Sequence, residues 1–356
     1  MQIGFAVPMS GSWATPANQV AVARRAEELG YASLWTFQRL LFPADAAGAD
    51  AARWQPVYRS VADPLVTLAY LAGHTRRIRL GVAVLNMPWF APILLAKQAA
   101  SLDAVSEGRL DLGLGIGWSR LEYAAAGAPF ERRGERAEEF LSCLKALWTD
   151  DVVDFDGRFH QVRGAIVEPK PVQSPHPPIW VGAQSVAGAR RAGRFGDGFP
   201  VTPEATYDEI EERFAAVREG FAARGKPFGP QPVRRNVLVA DSRDEALVEY
   251  ARVSKGKYLS YASKGMKYAG DSETLDRDFL TTVAQHAVVG TDAEVVAQLT
   301  DLCTRFPVDP LLLRPQWPSM SAEETIAAIE RLGREVVPAI RALPTPQPEP
   351  VPAGMA

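Results

Sequence analysis

Short apolar runs bounded by glycine, proline or polar clusters alternate along this chain with longer stretches in which apolar residues recur at helical spacing. Ile3, Phe5 and Val7 predict a first strand, and Thr15 to Leu29 a helix halted at Gly30. Ala32 to Thr36 is the second strand. From Phe37 to Ala62 the pattern gives way to Ala, Pro and aromatic residues, a length that is expected of a lid or a disordered excursion. Asp63 and Pro64 supply the N-cap and first turn of a helix through Thr75, and Ile78 to Leu85 is the third strand. Pro92 opens the next helix, with Leu95, Ala99, Leu102 and Val105 as its stripe and Glu107-Gly108 as its end; Arg109 to Leu114 is the fourth strand.

Ala137, Phe140, Leu141, Leu144, Leu147 and Trp148 describe the clearest amphipathic helix. Val152 to Phe159 reads as a hairpin about Asp156-Gly157, and proline-rich Glu168 to Pro178 leads to Ile179, Trp180 and Val181, a buried strand of the parallel kind. Gly182 to Ser185 then turns the chain into a helix with Val186, Ala189 and Gly193 on one side and Arg190, Arg191 and Arg194 elsewhere. Further on come a helix over Tyr207 to Arg224, a strand over Val233 to Ala240 and a helix from Ser242. Lys255 to Gly270 lacks a clean period and is expected to be an inserted, mobile segment. Thr291 to Phe306 is a helix, Leu311 to Arg314 a strand and Ser321 to Leu343 the last helical region, before a proline-rich tail, Pro344 to Ala356, expected to be unpacked. Some eight strand-helix alternations with buried-type strands predict an α/β fold. The count favours one closed (β/α)8 TIM barrel over residues 1–343, with insertions after strands 2, 4 and 7 and chemistry on the loops at the strand C-termini.

Composition narrows what such a barrel does. With 47% hydrophobic residues in 356 there is ample material for a core, and a net charge of -3 offers no general attraction to nucleic acid or anionic membranes. No leader pattern and no run long enough to span a bilayer stands out, so a cytoplasmic protein is expected. Cys143 and Cys303 are isolated, and His74, His160, His176 and His286 lie far apart, so no metal site is expected. Neither a G-x-S-x-G elbow nor a Walker loop is present to support hydrolytic chemistry. Gly113-Leu-Gly115-Ile-Gly117-Trp118 lacks the third glycine of a dinucleotide fingerprint. It reads equally as small residues admitting something flat or as a tight turn. Gly182, Ala183, Gln184 and Ser185 read equally as a phosphate cradle or as a plain turn with a Ser N-cap. Trp35, Asn86, Trp118, Arg314 and Trp317 fall near strand ends in a mouth suited to a flat aromatic ligand, although packing is the commoner role of Trp.

Three segments then carry a resemblance: LLAKQAASLDAVSEGRLDLGLGIGW (Leu94 to Trp118), GAPFERRGERAEEFL (Gly127 to Leu141) and PPIWVGAQSVAGARRAGRFGDGF (Pro177 to Phe199). They resemble the luciferase-like monooxygenase superfamily, and within it the oxidoreductases that use coenzyme F420. The resemblance implies the barrel, an isoalloxazine-like ring across the mouth against the end of strand three, and a non-prolyl cis peptide at Ala83-Val84. It also implies cofactor contacts from Trp35, Ala83, Val84 and Asn86 and a phosphate at Gly182, Ala183, Gln184 and Ser185. Many relatives carry an acid and a His after the strand-two Trp, where this chain reads Gln38-Arg39; the F420-dependent sugar-phosphate dehydrogenases carry a carboxylate after the glycine series, where it reads Trp118. Arg39 stays charged and is no ordinary acid, so it is expected either to stabilise negative charge or to pair with a loop acid. The implied activity is F420-dependent hydride transfer to or from a small organic substrate under the loop Phe37 to Ala62, with Gln38, Arg39 and Trp118 as catalytic candidates. One alternative is an FMN-dependent monooxygenase fed by a separate reductase, and another is a catalytically silent flavin carrier. A homodimer is expected by the same resemblance.

Overall fold

A computed structural model of the chain describes residues 1–11, 14–44, 54, 56–262, 279, 287–317 and 320–351. Its strands are β1 (Ile3–Ala6), β2 (Ser33–Thr36), β3 (Arg79–Asn86), β4 (Leu110–Gly115), β5 (Val153–Asp156), β6 (Gln161–Ala165), β7 (Ile179–Val181), β8 (Gln231–Val239), β9 (Val288–Gly290) and β10 (Val308–Arg314). All but the antiparallel hairpin β5-β6 form one parallel sheet in the order β7-β4-β3-β2-β1-β10-β8-β9. Short bridges from Gly198 to Trp180 and from Val201 to Val233 join its two arms, with Val181 N–H donating to Gly198 O and Val201 N–H to Pro232 O, both at 2.9 Å. The extended piece around Gly198–Val201 thus completes a closed eight-stranded barrel, and β9 pairs beside the end of β8 at Val237–Val239. No described helix is long and apolar enough to cross a membrane.

Local chemistry sets the helix starts. Thr15 caps α1 (Pro16–Glu28), Asp63 caps α2 (Pro64–Ala72) and Ser185 caps α6 (Val186–Phe195), each side chain accepting from the backbone N–H three residues on. In α3 (Pro92–Val105), Leu95, Ala99 and Leu102 are buried as expected, but Val105 is 64% exposed. Ten residues beyond Leu95 the helix has turned about 80° off that face. Further helices are α4 (Arg120–Ala125), α5 (Arg133–Thr149), whose apolar stripe is buried throughout, and α7 (Tyr207–Ala222).

Three expectations change. The hairpin returns later than Phe159, over Gln161–Ala165, because the Glu139 carboxylate gathers the N–H groups of Arg158, Phe159 and His160 at 2.9, 2.7 and 2.6 Å and holds a wider turn. Glu27 of α1 does the same for Arg76, Arg77 and Ile78 ahead of β3. Lys255 to Ala262, expected in a mobile insertion, continue the helix α8 (Arg243–Ala262); 263–270 lie outside the described residues. The tail is tied down at Glu349, which exchanges backbone hydrogen bonds with Phe228 and forks onto the Arg218 guanidinium at 2.8 and 3.0 Å. Residues 352–356 lie outside the described residues.

Inside the barrel, side chains alternate with those packed against the helices. Gly4, Ser33, Gly81 and Gly113 point inward with Trp35, Trp180 and Leu312, and the two indoles stack with centroids 4.5 Å apart and planes 14° apart. Gly81 has to be small, since a Cβ there would lie 2.4 Å from the Trp35 ring.

Candidate active site

At the end of strand three the Ala83–Val84 bond is cis, and the β3-β4 register shifts between Val82 and Leu85. Val84 lodges between two glycines: a Cβ on Gly115 would lie 2.6 Å from its Cγ2, and one on Gly182 2.9 Å from its Cγ1. Gly113 in turn faces the Val82 carbonyl, 2.1 Å from where its Cβ would be. Up to Gly115 the glycine series therefore admits the chain's own strand three, and not an outside flat group. Gly117, at φ +69°, fits the tight-turn reading. Val84, only partly buried, is left as an apolar floor at the mouth, on top of the Trp35–Trp180 stack.

Beside this floor, Gln38 Oε1 accepts from Asn86 N–H at 2.8 Å and from Asn86 Nδ2 at 3.4 Å, both residues being buried. The next residue, Arg39, reaches to α4. Its Nη1 stands 3.5 Å from Glu122 Oε2, while Leu40 N–H donates to Glu122 Oε1 at 2.8 Å. Ser119 starts α4 by accepting from Glu122 N–H, so the glycine turn, the cap and the carboxylate are set by one another. Glu122 is fully buried; burial pushes its carboxyl pKa up, and the Leu40 N–H and the Arg39 charge pull it part of the way back. Three rings surround the Arg39 guanidinium, Trp118 at 4.8 Å and Trp54 and Tyr58 each at 5.5 Å from Cζ. Cation–π contacts of this kind are worth about 0.5 to 2 kcal/mol each. Of the two expectations for Arg39, the structure shows an acid beside it, Glu122, which lies on α4 and not in a loop.

The remaining candidates divide. Gly182 N–H is taken by Leu114 O at 2.8 Å, and the Ser185 hydroxyl accepts from Gly188 N–H at 3.1 Å, which is the N-cap reading of that turn. Gln184 and Ser185 are exposed at the start of α6, whereas Gly182 and Ala183 are half-buried. Trp35 is 3% exposed, with one face on Trp180 and its edge over Gly81, so it is a packing residue and offers no face to a cofactor. Trp317 is likewise buried, edge-on to Tyr250 at 5.1 Å in a separate apolar cluster. Gln38, Arg39, Val84, Asn86 and Trp118 come together on the β2-β4 side of the mouth. Arg314 stands on the opposite side, its Cζ 5.5 Å from the Trp317 ring. Sequence reasoning missed Trp54, Tyr58 and Glu122, which no local pattern marks.

Comparison with known proteins follows the same lines. The family model described as luciferase-like monooxygenase matches residues 2–309. The chain is 30% identical over 302 residues to the oxygenase component of the flavin-dependent trigonelline monooxygenase of Acinetobacter baylyi, covering 78% of this chain and 80% of that protein. It is 29% identical over 298 residues to the F420-dependent glucose-6-phosphate dehydrogenase of Amycolatopsis mediterranei, covering 80% and 84%. Among solved structures, the monooxygenase RslO1 of Streptomyces bottropensis superposes with a TM-score of 0.77 at 24% identity, over 95% of this chain and 99% of that one. That likeness bears on the fold.

Proposed function

The chain belongs to the luciferase-like monooxygenase family, and on that premise we propose that it is an F420-dependent oxidoreductase whose deazaflavin lies on Val84 in the barrel mouth. The observation that carries this is the fit of Val84 between Gly115 and Gly182, which leaves one apolar floor beside the start of α6. Residues 1–343 are read as a single domain built around that mouth. Gln38, Asn86, Val84 and the Gly182–Ser185 turn suit the group: an apolar plane, a polar rim, and an exposed helix start whose dipole favours a phosphate. A deazaflavin bound there supplies two-electron hydride chemistry.

The chain's own residues bind and orient. Gln38 Oε1 accepts from the Asn86 backbone N–H and, at longer range, from the Asn86 side-chain amide, which orients that amide toward the ring edge. Arg39, held by Glu122, brings positive charge to the same side and favours negative charge on whatever reacts there. Trp54, Tyr58 and Trp118 wall off that side from water. Glu122 is buried and held by Leu40 N–H and Arg39, so this reading assigns it to positioning Arg39, and the substrate or solvent carries the proton.

A second reading, the oxygenase component of a two-component system using reduced FMN, is favoured by the aromatic wall and by the 30% identity to the trigonelline enzyme component. Titration with F420 and with reduced FMN, followed by oxygen uptake with the latter, separates the two. Binding of F420 alone supports the first reading, tight binding of reduced FMN with oxygen uptake supports the second, and binding of neither overturns both.

A further inference from the structure

Arg39 and Trp54 bring to the mouth two N–H donors that the protein itself leaves unanswered. Arg39 Nε and Trp54 Nε1 are both buried, and neither has a hydrogen-bond partner among the described residues. Trp54 is 4% exposed and the Arg39 side chain 17%. A buried donor without an acceptor is costly to a folded chain, so each of these points to an acceptor that the described residues do not supply.

The plane of the guanidinium says where that acceptor lies. Its N–H groups form a rigid fork, and the Nε–H and Nη2–H together make one edge onto which a carboxylate fits with both oxygens. Glu122 stands at Nη1 alone, at 3.5 Å, and this is the hydrogen bond the Arg39 side chain makes among the described residues. Glu122 is also drawn to Leu40 N–H at 2.8 Å, so it does not reach round to the other edge. The Nε–Nη2 edge is therefore open. Trp118, at 4.8 Å from Cζ, and Trp54 and Tyr58, each at 5.5 Å, attract the cation with their ring faces, which put no lone pair on that edge.

The same rings limit what an occupant can be. Phe42 stands edge-on to Trp54 at 6.0 Å and Phe37 edge-on to Tyr58 at 5.8 Å, so the walls around the open edge are flat and apolar. A flat aromatic body stacks against such walls better than a bulky one. The carboxyl of Glu122 on the far side of the guanidinium disfavours a dianion more than a monoanion.

We propose that the Nε–Nη2 edge of Arg39, together with the Trp54 indole N–H, seats the carboxylate of a flat aromatic substrate. That this carboxylate belongs to a substrate rests on the redox reading above; the seat itself does not.

The test is calorimetric titration of the full-length protein with benzoate. Benzamide is the neutral control, cyclohexanecarboxylate the non-planar acid and phenyl phosphate the dianion. The series is repeated on R39Q, on R39K and on W54F, which keeps an aromatic wall and loses the indole donor. Each protein is also titrated separately with F420 and with FMN, and benzoate is titrated again in the presence of either cofactor that binds. Benzoate is expected to bind the wild type about tenfold tighter than any of the three controls. R39Q should weaken benzoate about tenfold or more, R39K about fivefold because the ammonium keeps the charge and loses the fork, and W54F about threefold. Cofactor affinity should stay within about twofold throughout. If R39Q fails to fold by circular dichroism, R39K carries the test.

Absence of benzoate binding under every condition, equal binding of benzamide, or unchanged benzoate affinity in the folded Arg39 variants overturns the proposal. Preference for phenyl phosphate or equal binding of cyclohexanecarboxylate overturns the substrate class, and an unchanged W54F overturns the part given to the indole. A parallel loss of F420 or FMN affinity also overturns it, by assigning Arg39 to the cofactor. If benzoate binds and the Arg39 variants lose it while neither cofactor binds, the seat stands and the redox reading falls.

Discussion

Trp35 and Trp180 lie face to face in the barrel interior, their centroids 4.5 Å apart, one on the second strand of the ring and the other on the fifth. Glycines on the surrounding strands leave the room the two indoles fill, so each ring has few other ways to pack. Trp180→Ala is expected to lower unfolding free energy by about 3 to 5 kcal/mol, read from urea denaturation. A loss under about 1 kcal/mol is inconsistent with an interior role for this pair.

The floor of the mouth gives a cycle of two substitutions. A Cβ at Gly115 meets Val84 Cγ2 at 2.6 Å, so Gly115→Ala overpacks the site and is expected to cost about 1 to 3 kcal/mol. Combined with Val84→Ala the penalty is expected to fall short of the sum by about 0.5 kcal/mol or more, because the colliding methyl is gone. Strict additivity in the same denaturation assay contradicts the contact.

Glu122 predicts a pH dependence. Its folded pKa is raised, chiefly by burial, so the folded state holds that proton more tightly than the unfolded chain does. Its contribution is therefore present at low pH and is lost as pH rises through the folded pKa. Relative to Glu122→Gln, the wild type should lose stability as pH rises from about 4, where a glutamate of the unfolded chain begins to ionise, the comparison cancelling other carboxyls. Thermal melts of the two proteins across that range read the difference, and a wild type that gains on the variant would contradict the raised pKa.

At the other end of the chain, removing residues 344–356 deletes the two backbone bonds between Glu349 and Phe228 and the fork onto Arg218. The ion pair is half exposed and worth little, so the expected loss is about 1 kcal/mol, mostly from the backbone bonds. An unchanged urea midpoint would mean that the tail contributes nothing.

What was legible in the sequence was what acts over short distances along it. Thr15, Asp63 and Ser185 announce their helices because a cap and its N–H are three residues apart. The strand-helix rhythm gave the barrel for the same reason. The Leu40–Glu122 bond spans 82 residues and joins a loop that lacks any period to the short helix α4, so nothing local marks it. Trp35 and Trp317 both lie near strand ends, where packing and ligand stacking are both open to a Trp, and a cofactor contact for Trp35 came from the resemblance. Periodicity alone does not say that one stacks on Trp180 and the other turns edge-on to Tyr250. The cis bond at Ala83–Val84 was reached by family resemblance, and the glycines that accommodate Val84 acquire their meaning only once β3, β4 and β7 are side by side.

Glu27, Glu139 and Glu122 share a habit: each carboxylate, on a helix, collects backbone N–H groups of a loop distant from it in the chain. For anyone rebuilding the mouth by exchanging segments with a relative, this redraws the unit of exchange. A loop grafted after strand two brings its own aromatic residues and loses its anchor unless the recipient also has a glutamate at the third position of the helix after strand four. The transferable part is discontinuous, Gln38 to Tyr58 together with Ser119 to Glu122, and the two pieces travel together or not at all.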